Sequence, residues 1–147
     1  MRFRMVDRIL AWERCRVIRG IKTVSFEEYQ LRDRLGADPC LPESLVTEAL
    51  LQLSNWLVVL SSDYTRMGLV VQWGRVLFPE RLRPGQHLHL EVQVRSWRDH
   101  GALWDGVASD GERTIAVARR CLALPVALAD YCDPEDLRVL FSEIHRP

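Results

Sequence analysis

Between residues 45 and 60 the apolar positions fall on a helical period. Leu45, Ala49, Leu50, Leu53, Trp56, Leu57 and Leu60 recur every three or four residues, and Leu51, Val58 and Val59 extend the apolar surface most of the way round. The spacing predicts one long helix, buried in the body of the protein. Pro42 suits its first turn, because a proline lacks the N–H that a helix start leaves unpaired, and Glu43 complements the positive end of the helix dipole. The helix is therefore expected to begin near residue 42. Ser44, Glu48, Gln52 and Asn55 are spaced so that they form a single polar stripe on this rod. Polar groups on a buried helix need either partners or a function.

Elsewhere the pattern changes to that of strands. Residues 15–24 have β-branched strand composition, and residues 25–34 open with a possible cap at Ser25 and suggest a short helix or turn, broken by Gly36, Pro39 and Pro42. Residues 67–78 read as a strand kinked at Gly74, and Pro84-Gly85 as a turn. Leu88, Leu90, Val92 and Val94 then alternate with polar neighbours, so one face of that strand is core and the other wet. Residues 103–109 and 114–124 flank Asp110-Gly111, a dipeptide favoured in tight hairpins, and are expected to pair antiparallel until Pro125 ends the sheet. Asp133-Pro134 caps a last amphipathic helix with apolar residues at 137, 140, 141 and 144. The sum is an α+β fold, an antiparallel sheet packed on one long buried helix with a short C-terminal helix.

Composition narrows the function classes. A chain of 147 residues is expected to form one domain, and 20 basic against 20 acidic residues leave no electrostatic footprint for nucleic acid or an anionic membrane. The N-terminus has no apolar signal core, and the uninterrupted apolar run of residues 56–60 is too short to span a bilayer, so a cytoplasmic protein is expected. Cys15, Cys40, Cys121 and Cys132 form no C-x-x-C pair, which predicts reduced structural thiols rather than disulfides or a metal site. No cofactor is expected either.

Several short motifs, taken in order, carry a resemblance. Met5-Val-Asp-Arg-Ile-Leu-Ala-Trp-Glu13, Ile21-Lys-Thr-Val-Ser25, Pro39-x-x-Pro-x-x-Leu-x-x-Glu-Ala-x-x-Gln52 and Arg83-Pro-Gly85 before the alternating strand together resemble the 3-hydroxyacyl-acyl-carrier-protein dehydratases. The likeness covers most of residues 3–124. It implies a single hotdog domain over residues 1–147, with its core at about 3–124 and a C-terminal helical extension at about 133–145. It also implies a dimer with a continuous sheet, and an acyl-thioester tunnel beside the helix. Fatty acid or polyketide-type biosynthesis would be the setting, and acyl carrier protein or another acyl thioester the partner.

The resemblance also locates a site, and the sequence departs from it there. The family's helix glutamate matches Glu48, while its catalytic histidine, five residues before the first proline, is Arg34 here. The family's Pro-Gly-Val at the helix start is replaced by Pro42-Glu43-Ser44. Elimination of water from a 3-hydroxyacyl thioester needs a base for the α-proton and an acid for the leaving hydroxyl. Arginine stays protonated and cycles no proton, and Glu43 sets negative charge where an enolate oxygen develops. Both changes oppose the standard reaction. Glu48 and Arg34 are thus the candidate catalytic pair, with Glu43, Ser44 and Gln52 as substrate-binding candidates and Gln52 expected to orient Glu48. His87, His89, His100 and His145 occupy none of the matching positions, and Trp56, Trp73 and Trp104 are expected in the core. Three readings follow: a modified acyl-thioester enzyme (dehydratase-like, or a thioesterase in which Glu48 activates water), a half-site subunit dimerised with an active paralogue instead of with itself, and an acyl or carrier-protein binding module.

Overall fold

The computed structural model describes residues 4–25 and 40–146. Its elements in chain order are β1 (Arg8–Glu13), β2 (Val17–Thr23), α1 (Glu43–Ser61), β3 (Arg66–Gln72), β4 (Arg75–Leu77), β5 (His87–Arg98), β6 (Gly101–Ser109), β7 (Thr114–Ala127), a 3-10 turn at Leu128–Asp130, and α2 (Pro134–Ile144). Strands run β1-β2-β5-β6-β7-β3 across one sheet, with β4 also paired to β7 and every strand pair antiparallel.

The sheet wraps α1 because each supplies the apolar face the other lacks. Val46, Ala49, Leu50, Leu53 and Leu57 on the helix are buried among Ile18, Leu88, Leu90, Val92, Trp104 and Ile115 from the strands. Burial of a side chain of this size contributes about 1.5–3 kcal/mol, so this interface dominates the fold's stability. By length and composition α1 is also apolar enough to cross a bilayer, which the count of consecutive apolar residues did not register. Its apolar face is packed under the sheet instead.

The helix begins one residue later than expected, with Pro42 as the cap and Glu43 in the first turn. Three further differences have local causes. Strand β1, which the sequence reading passed over, pairs with β2 through a tight turn in which Cys15 takes a positive φ of 57° and donates its N–H to Ser61 Oγ at 2.9 Å. Pro125 does not end the sheet. Pairing of β7 with β6 stops at Ala123, so beyond it β7 is an edge on that side and runs on to Ala127 against β3, where a missing N–H is tolerated. The predicted strand over 67–78 divides into β3 and β4 at Trp73-Gly74, as the kink required. A Cβ on Gly74 would lie 2.6 Å from Arg119 O and 2.7 Å from Arg120 Cβ. The short helix or turn expected at 25–34 falls almost wholly outside the described residues.

Helix α2 returns the chain to the other end of the sheet. Asp133 caps it by accepting from Glu135 N at 2.9 Å, and Phe141 packs on Trp56 with ring centroids 5.9 Å apart. Beyond it, His145 makes a parallel bridge to Ile9, and Arg146 N donates to Ile9 O at 3.1 Å. Residues 145–146 therefore meet the outer edge of β1 at Ile9.

Candidate functional site

The polar stripe of α1 has partners on both flanks of the wrapped sheet. Gln52 Oε1 accepts the N–H of Met5, just before β1, at 2.8 Å. Asn55 Oδ1 accepts the N–H of Gly68, in β3 at the opposite edge, at 2.9 Å. The stripe is thus the line along which the two ends of the sheet close round the helix, and its side chains satisfy donors that the wrap would leave unpaired. Gln52 also donates from Nε2 to Glu48 Oε1 at 2.8 Å. Met5 fixes Gln52, and Gln52 fixes Glu48. The half-buried carboxylate is thereby held at Oε1.

Glu43 and Ser44 sit elsewhere. Both are exposed in the first turn of α1 and border a recess of about 350 Å³ whose walls include Pro42, Phe78, Arg81 and Ile115. Leu45 N and Val46 N both donate to Pro42 O, so the N–H groups of Glu43 and Ser44, which border the recess, are the ones without an acceptor inside the helix. Such groups suit a developing oxyanion. Glu43 adds a negative charge beside them. The structure therefore brings Glu48 and Gln52 together and sets Glu43 and Ser44 at the helix end, while Arg34 lies outside the described residues.

All four histidines have other neighbours. His87 Nδ1 is 3.1 Å from Thr23 Oγ1, and His89 stands 6.5 Å from it across the wet face of β5. His100 is exposed in the β5–β6 turn. His145 is stacked on Phe141 at 4.8 Å with Nδ1 3.3 Å from Ile9 O. No group of three metal-ligating side chains occurs among the described residues.

One polar centre carries no signal in the sequence. Asp105 lies at a bulge between Trp104 and Gly106, where it accepts from Arg120 N at 2.9 Å, Arg95 Nε at 2.6 Å and Arg119 Nη1 at 3.2 Å. Burial pushes its carboxyl upward, but the Arg120 N–H and the Arg95 and Arg119 guanidiniums together outweigh burial and hold it below the usual carboxylate range. Arg120 reaches it from a positive φ of 55°. Nearby, burial pushes the Cys121 thiol up to about 11, as expected of an inert core cysteine. Trp104 is buried against Trp73 at 5.7 Å, and Trp56 and Trp73 are half-buried on the core, in line with the packing roles expected of all three.

Residues 1–119, which include Glu48 and every strand except the end of β7, match the family model described as a FabA-like domain. The chain belongs to the FabA-like family. Among its curated relatives is the 3-hydroxyacyl-[acyl-carrier-protein] dehydratase FabZ of Caldanaerobacter subterraneus subsp. tengcongensis, 32% identical over 117 residues that cover 79% of this chain and 83% of the relative. Two solved structures share the fold of this chain. The protein smu.793 of Streptococcus mutans UA159, bound to acetyl CoA, superposes with a TM-score of 0.68 at 12% identity, covering 86% of this chain and 94% of that one. The dehydratase heterocomplex ApeI:P of Xenorhabdus doucetiae superposes with a TM-score of 0.58 at 16% identity, covering 76% and 91%. At such identities these likenesses establish the fold, which is a hotdog. Helix α2 lies outside the part matched by the family model.

Proposed function

We propose that this chain is a 3-hydroxyacyl-acyl-carrier-protein dehydratase-like protein that binds acyl thioesters in fatty acid or polyketide-type biosynthesis and contributes Glu48 as one half of an acid–base pair. The observation that carries the reading is the Met5–Gln52–Glu48 relay, which orients a half-buried carboxylate on the helix that the FabA-like match spans. Dehydration breaks the C2–H and C3–O bonds of the substrate and forms the C2=C3 bond. One group takes the α-proton while another protonates the departing hydroxyl. Glu48 can perform one of these tasks, and a fixed guanidinium at Arg34 can perform neither.

The missing group therefore comes from another subunit. No hydrogen bond joins a histidine to Glu48 among the described residues, and this favours a heterodimer in which an active paralogue supplies its histidine to Glu48. The opposite site, where Arg34 would meet the paralogue's glutamate, is silent. That a dehydratase neighbour is itself a heterocomplex supports the same reading. The sheet offers one place for the pairing. Residues 145–146 meet the β1 edge at Ile9, whereas β3 ends the sheet with Leu69 and Val71 exposed. A cytoplasmic location fits these soluble partners.

The test is turnover by the purified chain alone on 3-hydroxyacyl and saturated acyl thioesters of an acyl carrier protein. Neither enoyl product nor free thiol is expected. Enoyl formation by the lone chain contradicts the half-site reading, and thiol release that Glu48→Gln abolishes establishes a thioesterase instead.

A further inference from the structure

Helices α1 and α2 flank an open pocket of about 530 Å³ that shares Gln52, though not Glu48, with the proposed thioester site. Its volume falls in the range of roughly 300–1,000 Å³ typical of small-molecule sites. The space exists because α2 is held at both ends. Near its start the Arg138 guanidinium sits 4.2 Å over the Tyr64 ring and 3.6 Å from Asp63, and at its end Phe141 rests on Trp56 while His145 bridges to Ile9. Leu137 and Leu140 between these anchors remain only half-buried and line the cavity.

The lining combines two chemistries. Trp56, Val59, Leu137 and Leu140 provide an apolar bed, and Arg4 and Asn55 provide donors. With Asn55 Oδ1 taken by Gly68 N, its Nδ2 is what remains to donate. Arg4 has no ion pair or side-chain hydrogen bond among the described residues, and a guanidinium fork matches a carboxylate. Asp136, which also lines the cavity, already takes part in another interaction.

We propose that the α1–α2 pocket is a second binding site, bordering the Gln52–Glu48 pair but not including Glu48, for a free medium-chain carboxylate whose head meets Arg4 and Asn55 and whose chain lies against Trp56, Leu137 and Leu140. A thioester or ester has no anion to offer Arg4, so the site discriminates the free acid from its carrier-bound form. The experiment is a titration of the full ¹⁵N-labelled chain with octanoate and, in parallel, 1-octanol. Octanoate is expected to give saturable shifts at the Asn55 side-chain amide and the Trp56 indole N–H. Arg4→Ala, at an exposed position, should weaken octanoate roughly tenfold and leave octanol unchanged, since a charge-assisted hydrogen bond contributes on that scale. Leu140→Trp, which fills the cavity, should weaken both. Glu48→Gln should weaken neither. Absence of saturation, equal response of octanoate and octanol to Arg4→Ala, or loss of binding in Glu48→Gln would each overturn the proposal, and none of these results bears on turnover at Glu48.

Discussion

Glu48 and Asp105 are both held carboxylates, but only one was visible beforehand. Glu48 could be found because its stripe has a helical period and because it sits in the Glu-Ala-x-x-Gln order of the family, and Gln52 Nε2 donates to it at 2.8 Å. Asp105 could not, since its partners come from β5 and β7 and meet only through bulges that no local pattern announces. Removing it should matter for stability. Asp105→Ala leaves the part-buried Arg120 N–H without its carboxylate partner and is expected to cost about 1 kcal/mol, read from the midpoint of urea denaturation. The pH dependence has a definite sign. Because the folded carboxyl lies below the ordinary value of about 3.9, its contribution is complete above that pH and is lost as pH falls through the folded value. Asp105→Asn should therefore narrow its deficit against wild type as unfolding is measured at successively lower pH below about 4. A deficit that does not change with pH in that window would remove the charge from the account.

At the scale of elements, the long helix and the alternating strand β5 were legible because each has one periodicity and one buried face. The first strand was not, since Arg8, Glu13 and Arg14 interrupt its alternation and its pairing depends on the turn at Cys15. Pro125 misled for a related reason. A proline reads as a strand end only where both sides of the strand are paired, and at that point β7 has lost β6. Gly74 was read correctly as a kink, and the cause is backbone proximity: a Cβ there meets Arg119 O, Arg120 Cβ and Arg120 O, all below 3.0 Å. Gly74→Ala is accordingly expected to destabilise the fold by about 1–3 kcal/mol, the usual cost of forcing atoms into a packed site. Thermal unfolding followed by circular dichroism measures it. An unchanged midpoint would mean that the β3–β4 connection yields freely.

For the whole molecule, the two edges of the sheet have opposite fates. Residues 145–146 meet the β1 edge at Ile9, and β3 is the other edge, on which the proposed second subunit would extend the sheet. Val71, 55% exposed on β3, lies in that proposed contact. Val71→Arg should shift the assembly toward monomer in sedimentation velocity while the circular dichroism spectrum stays native, and an unaltered assembly would place the contact elsewhere. Such a contact also explains why the site looked incomplete in one chain. The sequence supplies a glutamate, while His87, His89 and His145 have neighbours elsewhere and His100 is exposed in a turn.

The most direct measurement reconstitutes the pair. A histidine-bearing paralogue whose own helix glutamate has been changed to glutamine is mixed with this chain, and enoyl formation from a 3-hydroxyacyl thioester is followed. With wild-type Glu48 the mixture should be active, and with Glu48→Gln it should fall to background, a loss of about 10²-fold or more as for other general acid–base groups. Activity that is indifferent to Glu48→Gln would contradict the claim that this chain supplies the carboxylate of a shared site.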